Sequence, residues 1–181
     1  MQEFIYKMND NETYTVMAYR GDEEVVKIEE TYAGKPVTIL FDSLFKGHKE
    51  IKEVIIPDSI EDIGGFIFDG CDGIEEIKLP AGLKNLWQYA FVRTNITEIE
   101  IPEGVSTIPP FAFKDCIHLK KVVCHTGLKK IHDHAFEGCK EIETFIVDPG
   151  TYIGDLAFEE AAAIGIQKLI VSDSSNDEVE K

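Results

Sequence analysis

The sequence predicts a repeat solenoid built mainly of short parallel strands, and three observations support this. An apolar ring recurs every 22 or 23 residues. An isoleucine or leucine stands five residues before each ring, so the same apolar position is filled in every copy. Alternating apolar and polar residues follow each ring, as in Ile99-Glu100-Ile101, which is typical of a β-strand. The six rings are Phe45, Phe68, Phe91, Phe113, Phe136 and Phe158.

The repeat length explains how the strands and their connections are arranged. One unit of this size cannot bury its own apolar face, so copies stack and each covers its neighbour. Equivalent strands then pair in parallel about 4.8 Å apart, with matching side chains in ladders. Proline ends the strand in three of the repeats, at Pro57, Pro80 and Pro102. Parallel strands need a crossover, and the Ala-Phe step followed by Gly-Cys predicts a short helical turn within it.

Charge and hydropathy exclude several classes of function. The chain has 34 acidic and 18 basic residues, which gives a net charge of −16. Phosphate backbones and anionic bilayers repel such a protein, so we expect no binding to nucleic acid or to a membrane. No apolar run approaches the length of about 18 residues that marks a membrane-spanning helix.

The N-terminal ten residues carry an acidic side chain at Glu3 and lack the apolar stretch of a signal peptide. This predicts a cytoplasmic protein, or a cell-surface protein if a leader has been removed.

The cysteines and histidines do not form a recognisable reactive site. Free cysteines are usually buried, and these lack paired C-x-x-C spacing, which predicts reduced, buried thiols. His132 and His134 would face one side of a strand and could bind a transition metal. However, His134 occupies the repeat position of Phe66 and Tyr89, which favours a half-buried packing ring. We therefore predict no metal, no cofactor and no catalytic residue, so the protein is not expected to be an enzyme. The cysteines are Cys71, Cys116, Cys124 and Cys139.

The repeats resemble the BspA-like class of leucine-rich repeat, whose consensus runs roughly L-x-x-I-x-I-P-x-x-V-x-x-I-G-x-x-A-F-x-x-C. The resemblance covers residues 37–172, as six repeats. Residues 1–36 resemble the family's usual opening, a tyrosine-bearing antiparallel hairpin that would cap the first repeat and form one domain with the array. Residues 173–181 are polar and acidic, which predicts a mobile tail. The resemblance implies a non-enzymatic binding scaffold, often displayed on bacterial or protist surfaces for adhesion.

Side chains that point outward from the strands are the candidate binding residues. The earlier strands carry an acidic stripe formed by Glu53, Glu76, Glu98 and Glu100. The later strands carry Lys121 beside an apolar row formed by Val123, Ile146 and Ile170, and in-register β-branched residues make a contiguous patch.

Aromatic side chains offer a further candidate surface. Phe66, Tyr89 and Phe111 recur at one repeat position, where packing between repeats is favoured over binding. Trp87 stands where neighbouring repeats have Gly64 or Pro109, and we expect it to be exposed.

These observations favour a non-catalytic scaffold that binds a basic protein partner, because an acidic surface speeds and orients such an encounter. One concrete version is an immunity or antitoxin protein that neutralises a cationic toxin domain. The alternative is a fragment of a bacterial cell-surface adhesin, which the family resemblance implies. The oligomeric state stays open.

Overall fold

The chain forms a β-solenoid of about six coils. The structure, a computed structural model, describes residues 2–161 and the backbone of Leu169–Val171. A coil is one circuit of the chain, and each is named here by its ladder phenylalanine. The strands are β1 (Glu3–Met8), β2 (Tyr14–Arg20), β3 (Val25–Lys27), β4 (Thr31–Tyr32), β5 (Lys35–Leu40), β6 (Glu53–Ile55), β7 (Asp62–Ile63), β8 (Asn85–Leu86), β9 (Glu98–Ile101), β10 (Thr107–Ile108), β11 (Lys121–Cys124), β12 (Lys130–Ile131), β13 (Thr144–Val147), β14 (Tyr152–Ile153) and β15 (Leu169–Val171).

The front sheet contains the alternating strands that the sequence predicts. β3 pairs with β6, and β9, β11, β13 and β15 pair in chain order. All of these pairs are parallel, as expected from the repeat. The two parts of the sheet are separated by residues 76–78, which occupy a strand position in the sequence repeat but form no strand.

The rear sheet is built from the short segments that precede each ladder ring. β5, β7 and β8 form one part, and β10, β12 and β14 form the other. At the corresponding positions Trp87 and His132 donate their backbone N–H to Ile63 and Ile108. Pro109 stands at that position between β8 and β10 and has no N–H to donate, so the rear sheet is interrupted there.

The two interruptions coincide at one place, the central junction between the Phe91 coil and the Phe113 coil. Residues 76–78 are not paired with β9, and β8 is not paired with β10. Within the described residues, neither sheet therefore crosses this junction. Side chains carry much of the contact instead: the rings of Phe91 and Phe113 stack with their centroids 5.2 Å apart.

The predicted phenylalanine ladder is confirmed as the centre of the core. Successive rings are stacked at centroid distances of 5.7, 5.2, 5.2, 5.0 and 5.4 Å. The first five rings have no exposed surface. Burying one such ring stabilises the fold by roughly 1.5–3 kcal/mol, so the ladder is a major source of stability.

The crossovers are not the short helical turns that the sequence predicts, and the described residues contain no helix. Each ladder ring lies in a tight turn closed by i→i+3 hydrogen bonds, such as Thr94 N–H to the Phe91 carbonyl. In the first five of these turns the residues two before and two after the ring have a positive φ, for example Tyr89 (60°) and Arg93 (58°). A left-handed residue on each side prevents a right-handed helix from propagating, so the turn stays single.

The N-terminal segment covers the first coil. β1 and β2 form the antiparallel hairpin that the resemblance implies, and β2 also pairs in parallel with β5. The Tyr19 ring lies 5.4 Å from the ladder ring Phe45, so it closes the end of the ladder.

Two features of this segment go beyond the predicted hairpin. β4 and β5 form a second small hairpin, whose turn residues Ala33 and Gly34 both have a positive φ, as a type I′ turn requires. β3 adds a further strand to the front sheet beside β6. The predicted tail, residues 173–181, lies outside the described residues.

No helix that could cross a membrane is found among residues 2–161 and 169–171.

Candidate protein-binding surface

The outward positions of the front sheet follow from the alternation of its strands. In β9, Ile99 and Ile101 are buried while Glu98 and Glu100 are exposed. The stripe residues Glu53 and Glu76 are exposed at the equivalent position of earlier coils. The strand pattern thus places the predicted acidic side chains on one face of the solenoid.

The interruption of the front sheet opens a groove between β6 and β9. Among the described residues, the backbone groups of residues 76–78 make no backbone hydrogen bond. Their central side chain, Ile77, is only half-buried, whereas Val54 and Ile99 at the equivalent position are 5% and 3% exposed. The groove has a volume of about 1310 Å³ and gives solvent access to apolar surface at its centre.

The groove is lined by most of the side chains that the sequence singles out. The four stripe glutamates reach it from three successive coils. Lys121 and Val123 of β11 line its far side. The candidate binding residues that line the groove are Glu53, Glu76, Glu98, Glu100, Lys121 and Val123.

The groove carries net negative charge, because six carboxylates line it against three lysines, Lys52, Lys78 and Lys121. Glu98 is paired with Lys121, whose Nζ lies 3.6 Å from its carboxylate oxygen. In the part of the chain that the structure describes, no lysine or arginine forms an ion pair with Glu53, Glu76 or Glu100. Lys52, which also lines the groove, is held by Glu24 at 2.7 Å. Unpaired carboxylates with apolar walls concentrate a negative field that attracts cationic groups.

The predicted apolar row lies beside the groove. Val123 pairs in register with Ile146, and Ile146 pairs with Ile170. The side chains of Val123 and Ile146 are half-buried. The side chain of Ile170 lies outside the described residues. The row continues from Val123, at the groove wall, along the face of the later strands.

The repeat pattern, the two sheets and the ring ladder together define the family. The profile of BspA-type leucine-rich repeat regions matches residues 38–164 in six copies. The chain belongs to the BspA-type leucine-rich repeat proteins. No curated protein matches it.

Solved structures of bacterial leucine-rich repeat proteins share the fold. One is a leucine-rich repeat protein of T. pallidum, 19% identical, with a TM-score of 0.70, covering 93% of this chain and 94% of that one. A protein from Eubacterium ventriosum is 24% identical, with a TM-score of 0.64, over 94% of this chain and 53% of that one. A protein from Bacteroides ovatus is 24% identical, with a TM-score of 0.59, over 88% and 56%. This BspA-type chain therefore spans about half the length of the latter two.

Trp87 lies apart from the groove. It directly follows β8 of the rear sheet and does not line the cavity between β6 and β9. Its side chain is 56% exposed, as the sequence predicts. Trp87 is thus a separate candidate contact on another face of the solenoid.

The edge aromatics form a second ladder between the BspA-type repeats. Phe66 stacks on Tyr89 at 4.6 Å, Tyr89 on Phe111 at 4.9 Å, and Phe111 on His134 at 5.0 Å. The predicted packing between repeats is therefore present. The ladder is not in the core, because Phe66 is 37% exposed and Lys46 lies 5.3 Å above its ring. These rings stabilise neighbouring coils at the surface.

The four cysteines are buried and free, as predicted. Burial raises the pKa of Cys71 and of Cys124 to about 12, so both thiols are protonated at neutral pH. Three of the cysteines occupy the same repeat position, three residues after a ladder phenylalanine. Their thiols each lie within hydrogen-bond distance of a backbone carbonyl oxygen, that of the ladder phenylalanine in the preceding coil. They are Cys71 to Phe45 (2.9 Å), Cys116 to Phe91 (3.0 Å) and Cys139 to Phe113 (3.0 Å).

His125 also has a structural partner. Its Nε2 lies 2.8 Å from the Val105 carbonyl oxygen, and its Nδ1 accepts the backbone N–H of Gly127. Both ring nitrogens are thus engaged by the backbone.

Proposed function

We propose that this chain is a non-catalytic scaffold that binds a basic protein partner through the groove of the front sheet. The observation that supports this is the groove itself, where three unpaired glutamates surround the half-buried Ile77. Leucine-rich repeats commonly use an extended sheet surface for recognition, since stacking leaves one face of every strand free.

The groove suits a partner that presents lysine or arginine beside an apolar side chain. The glutamates would attract the cationic groups and orient the encounter. The apolar side chain would contact Ile77, and the unpaired backbone of residues 76–78 offers donors and acceptors to an extended segment. The apolar row from Val123 to Ile146 would extend the contact after docking.

A more specific version is an immunity or antitoxin protein that neutralises a cationic toxin domain in the cytoplasm. The net charge of −16 and the acidic groove support this version. The alternative, a fragment of a cell-surface adhesin, draws its support from the family. A genetic neighbour encoding a basic toxin domain would favour the first, and a leader or anchoring segment in the gene would favour the second.

The test begins with capture of the partner from native lysate and proceeds to binding kinetics with the purified partner. Exposed charges are screened beyond about 8 Å at physiological ionic strength, so added salt should slow association. The double variant Glu76→Lys/Glu98→Lys should slow it as well. The matched control is Glu3→Lys/Asp10→Lys, which changes the net charge equally at two exposed positions on the N-terminal cap.

Apolar contacts act after the encounter, so Ile146→Ala and Ile170→Ala should raise the dissociation rate instead. If neither added salt nor the charge reversals in the groove change the association rate, the acidic stripe is only a solvated face. The binding surface would then have to be sought around Trp87.

A further inference from the structure

A second polar cluster lies outside the groove, at the end of the edge-aromatic ladder. The Nδ1 atom of His134 lies 3.0 Å from a carboxylate oxygen of Glu137 and 3.0 Å from one of Glu159. The three side chains come from two successive coils. Their nitrogen and oxygen atoms all lie within 4.8 Å of one another, close enough to surround one ion.

The His134 Nδ1 atom has two carboxylates at ion-pair distance but no hydrogen bond. Nδ1 is buried and makes no hydrogen bond, although two carboxylate oxygens approach it to 3.0 Å. A ring nitrogen carries at most one proton, so it could satisfy only one of the two oxygens. Two carboxylate oxygens thus converge on one buried nitrogen without forming hydrogen bonds to it. A cation bound by all three atoms would account for this arrangement.

The spacing fits a first-row metal ion. Zinc lies about 2.0–2.1 Å from histidine nitrogen and 2.0–2.2 Å from carboxylate oxygen. Two ligands of a tetrahedral zinc ion are then about 3.4 Å apart, so each carboxylate oxygen, which lies 3.0 Å from Nδ1, would have to move outward by a few tenths of an ångström. Only small side-chain shifts are needed to place an ion between the three atoms.

The fold holds the ligand-bearing side chains in place. The His134 ring stacks on Phe111 with an interplanar angle of 9°, and its backbone N–H donates to the Leu156 carbonyl. Glu137 and Glu159 each directly follow a ladder ring, Phe136 or Phe158, so the same tight turn presents both carboxylates in adjacent coils. This rigidity lowers the entropic cost of gathering the ligands.

Contrary to the expectation from the sequence, we propose that His134, Glu137 and Glu159 bind a divalent first-row transition metal ion of the Zn²⁺ class. The imidazole selects against Mg²⁺ and Ca²⁺, which prefer oxygen alone. Three protein ligands leave a coordination position open to water or to an external group. The site is distinct from the groove, because none of its residues lines that cavity.

One neighbouring cation, Lys114, should lower the affinity of the site for a metal ion. Lys114 pairs with Glu137 through the carboxylate oxygen Oε1, which leaves Oε2 for the metal. The ammonium repels a divalent ion, so removing its charge should tighten binding. Lys114→Met therefore provides a variant whose effect has the opposite sign to the loss of a ligand.

The experiment is calorimetric titration of Zn²⁺ into the metal-free chain of 181 residues, with Co²⁺ absorption as a second readout of inner-sphere coordination. We expect one ion per chain. Losing a residue that only orients a metal ligand typically costs about 10–100-fold in metal affinity, so His134→Phe and Glu159→Gln, which remove ligands, should each weaken binding at least roughly tenfold. Phenylalanine is chosen because Phe111 occupies the same repeat position with the same backbone conformation (φ 61° against 62°).

The matched control is His118→Phe, which removes another histidine near a glutamate. His118 Nδ1 lies 3.6 Å from Glu141, and both side chains are about half exposed. Circular dichroism establishes that each variant folds, and Glu159→Gln decides the test if His134→Phe does not fold. Absence of saturable binding in the unmodified chain overturns the proposal. Equal affinity of the ligand variants and the unmodified chain does so too, as does an equal loss in His118→Phe.

Discussion

The ladder phenylalanines illustrate how single side chains stabilise this fold. Phe113 has no exposed surface and stacks on rings at 5.2 and 5.0 Å. Phe113→Ala should lower the free energy of unfolding by roughly 3–5 kcal/mol, because it removes a buried ring and leaves a cavity. Phe91→Ala should act similarly from the other side of the central junction. Chemical denaturation measures both changes.

Trp87→Ala is the control for these variants, since its side chain is 56% exposed. It should change stability by no more than about 0.5 kcal/mol, as surface substitutions usually do. A loss below about 1 kcal/mol in both ladder variants would show that the rings are not the stabilising element.

The thiols should be unreactive in the folded protein. The thiolate is the nucleophile, and burial raises the pKa of Cys71 and Cys124 to about 12. Alkylation at pH 8 should therefore be slow in buffer and fast in denaturant, as followed by intact mass. Rapid labelling of the native chain, or an intramolecular disulfide under non-reducing conditions, would contradict this.

The same shift predicts a direction for stability against pH. The thiol pKa is raised in the folded state from an ordinary value of 9.0, so folding favours the protonated form. The stabilisation is complete below about pH 9 and is lost as the pH rises towards 12. Removing both thiols in Cys71→Ala/Cys124→Ala should flatten this part of the profile.

Residue-scale features divide into those that the sequence predicts and those that it does not. The period alone predicts the buried rings, since phenylalanine recurs at the same position in all six copies. The left-handed conformation at Phe66, Tyr89 and Phe111 is not predictable this way, because bulky residues rarely adopt it. The convergence of Glu159 on His134 was missed as well. Comparing the residues that follow successive ladder rings would have placed both carboxylates in one column.

At the scale of elements, the interrupted front sheet predicts local differences in hydrogen exchange. The amides of residues 76–78 make no backbone hydrogen bond, whereas β11 is paired on both sides, with β9 and with β13. Mass-spectrometric exchange should show faster exchange at residues 76–78 than at Lys121–Cys124. Equal protection of the two segments would mean that the front sheet is continuous in solution.

The two sheet interruptions differ in how far sequence reveals them. Pro109 lacks the backbone N–H that would pair β10 with β8, so the interruption of the rear sheet can be predicted from this one residue. Residues 76–78 have the same apolar alternation as their neighbours, and pattern alone predicts a paired strand there. The departure depends on the relative position of successive coils, which a local pattern does not encode. The groove was therefore not predictable, although six of the residues that line it are candidate binding residues from the sequence alone.

At the scale of the whole molecule, the N-terminal cap should be required for stability. It covers Val37, Leu40 and Phe45, all without exposed surface, through the pairing of β2 with β5 and the Tyr19 ring. Deleting residues 1–36 should expose this end of the core. We expect a lower melting temperature and binding of a hydrophobic dye. Cooperative unfolding at the unchanged temperature would show that the repeats are stable alone, and that the predicted boundary at residue 37 separates independent units.

The central junction gives the solenoid a mechanical weak point. Few backbone hydrogen bonds join the coils there, among them Phe91 N–H to Ala112, Arg93 N–H to Lys114 and Thr97 N–H to Glu75. The junctions on either side are also joined by strand pairing, of β7 with β8 and of β10 with β12. A chain stretched between two attachment points should therefore part first at this cross-section, yielding two shorter blocks whose own sheets stay intact. Tension would then widen the acidic groove before it unfolds either block.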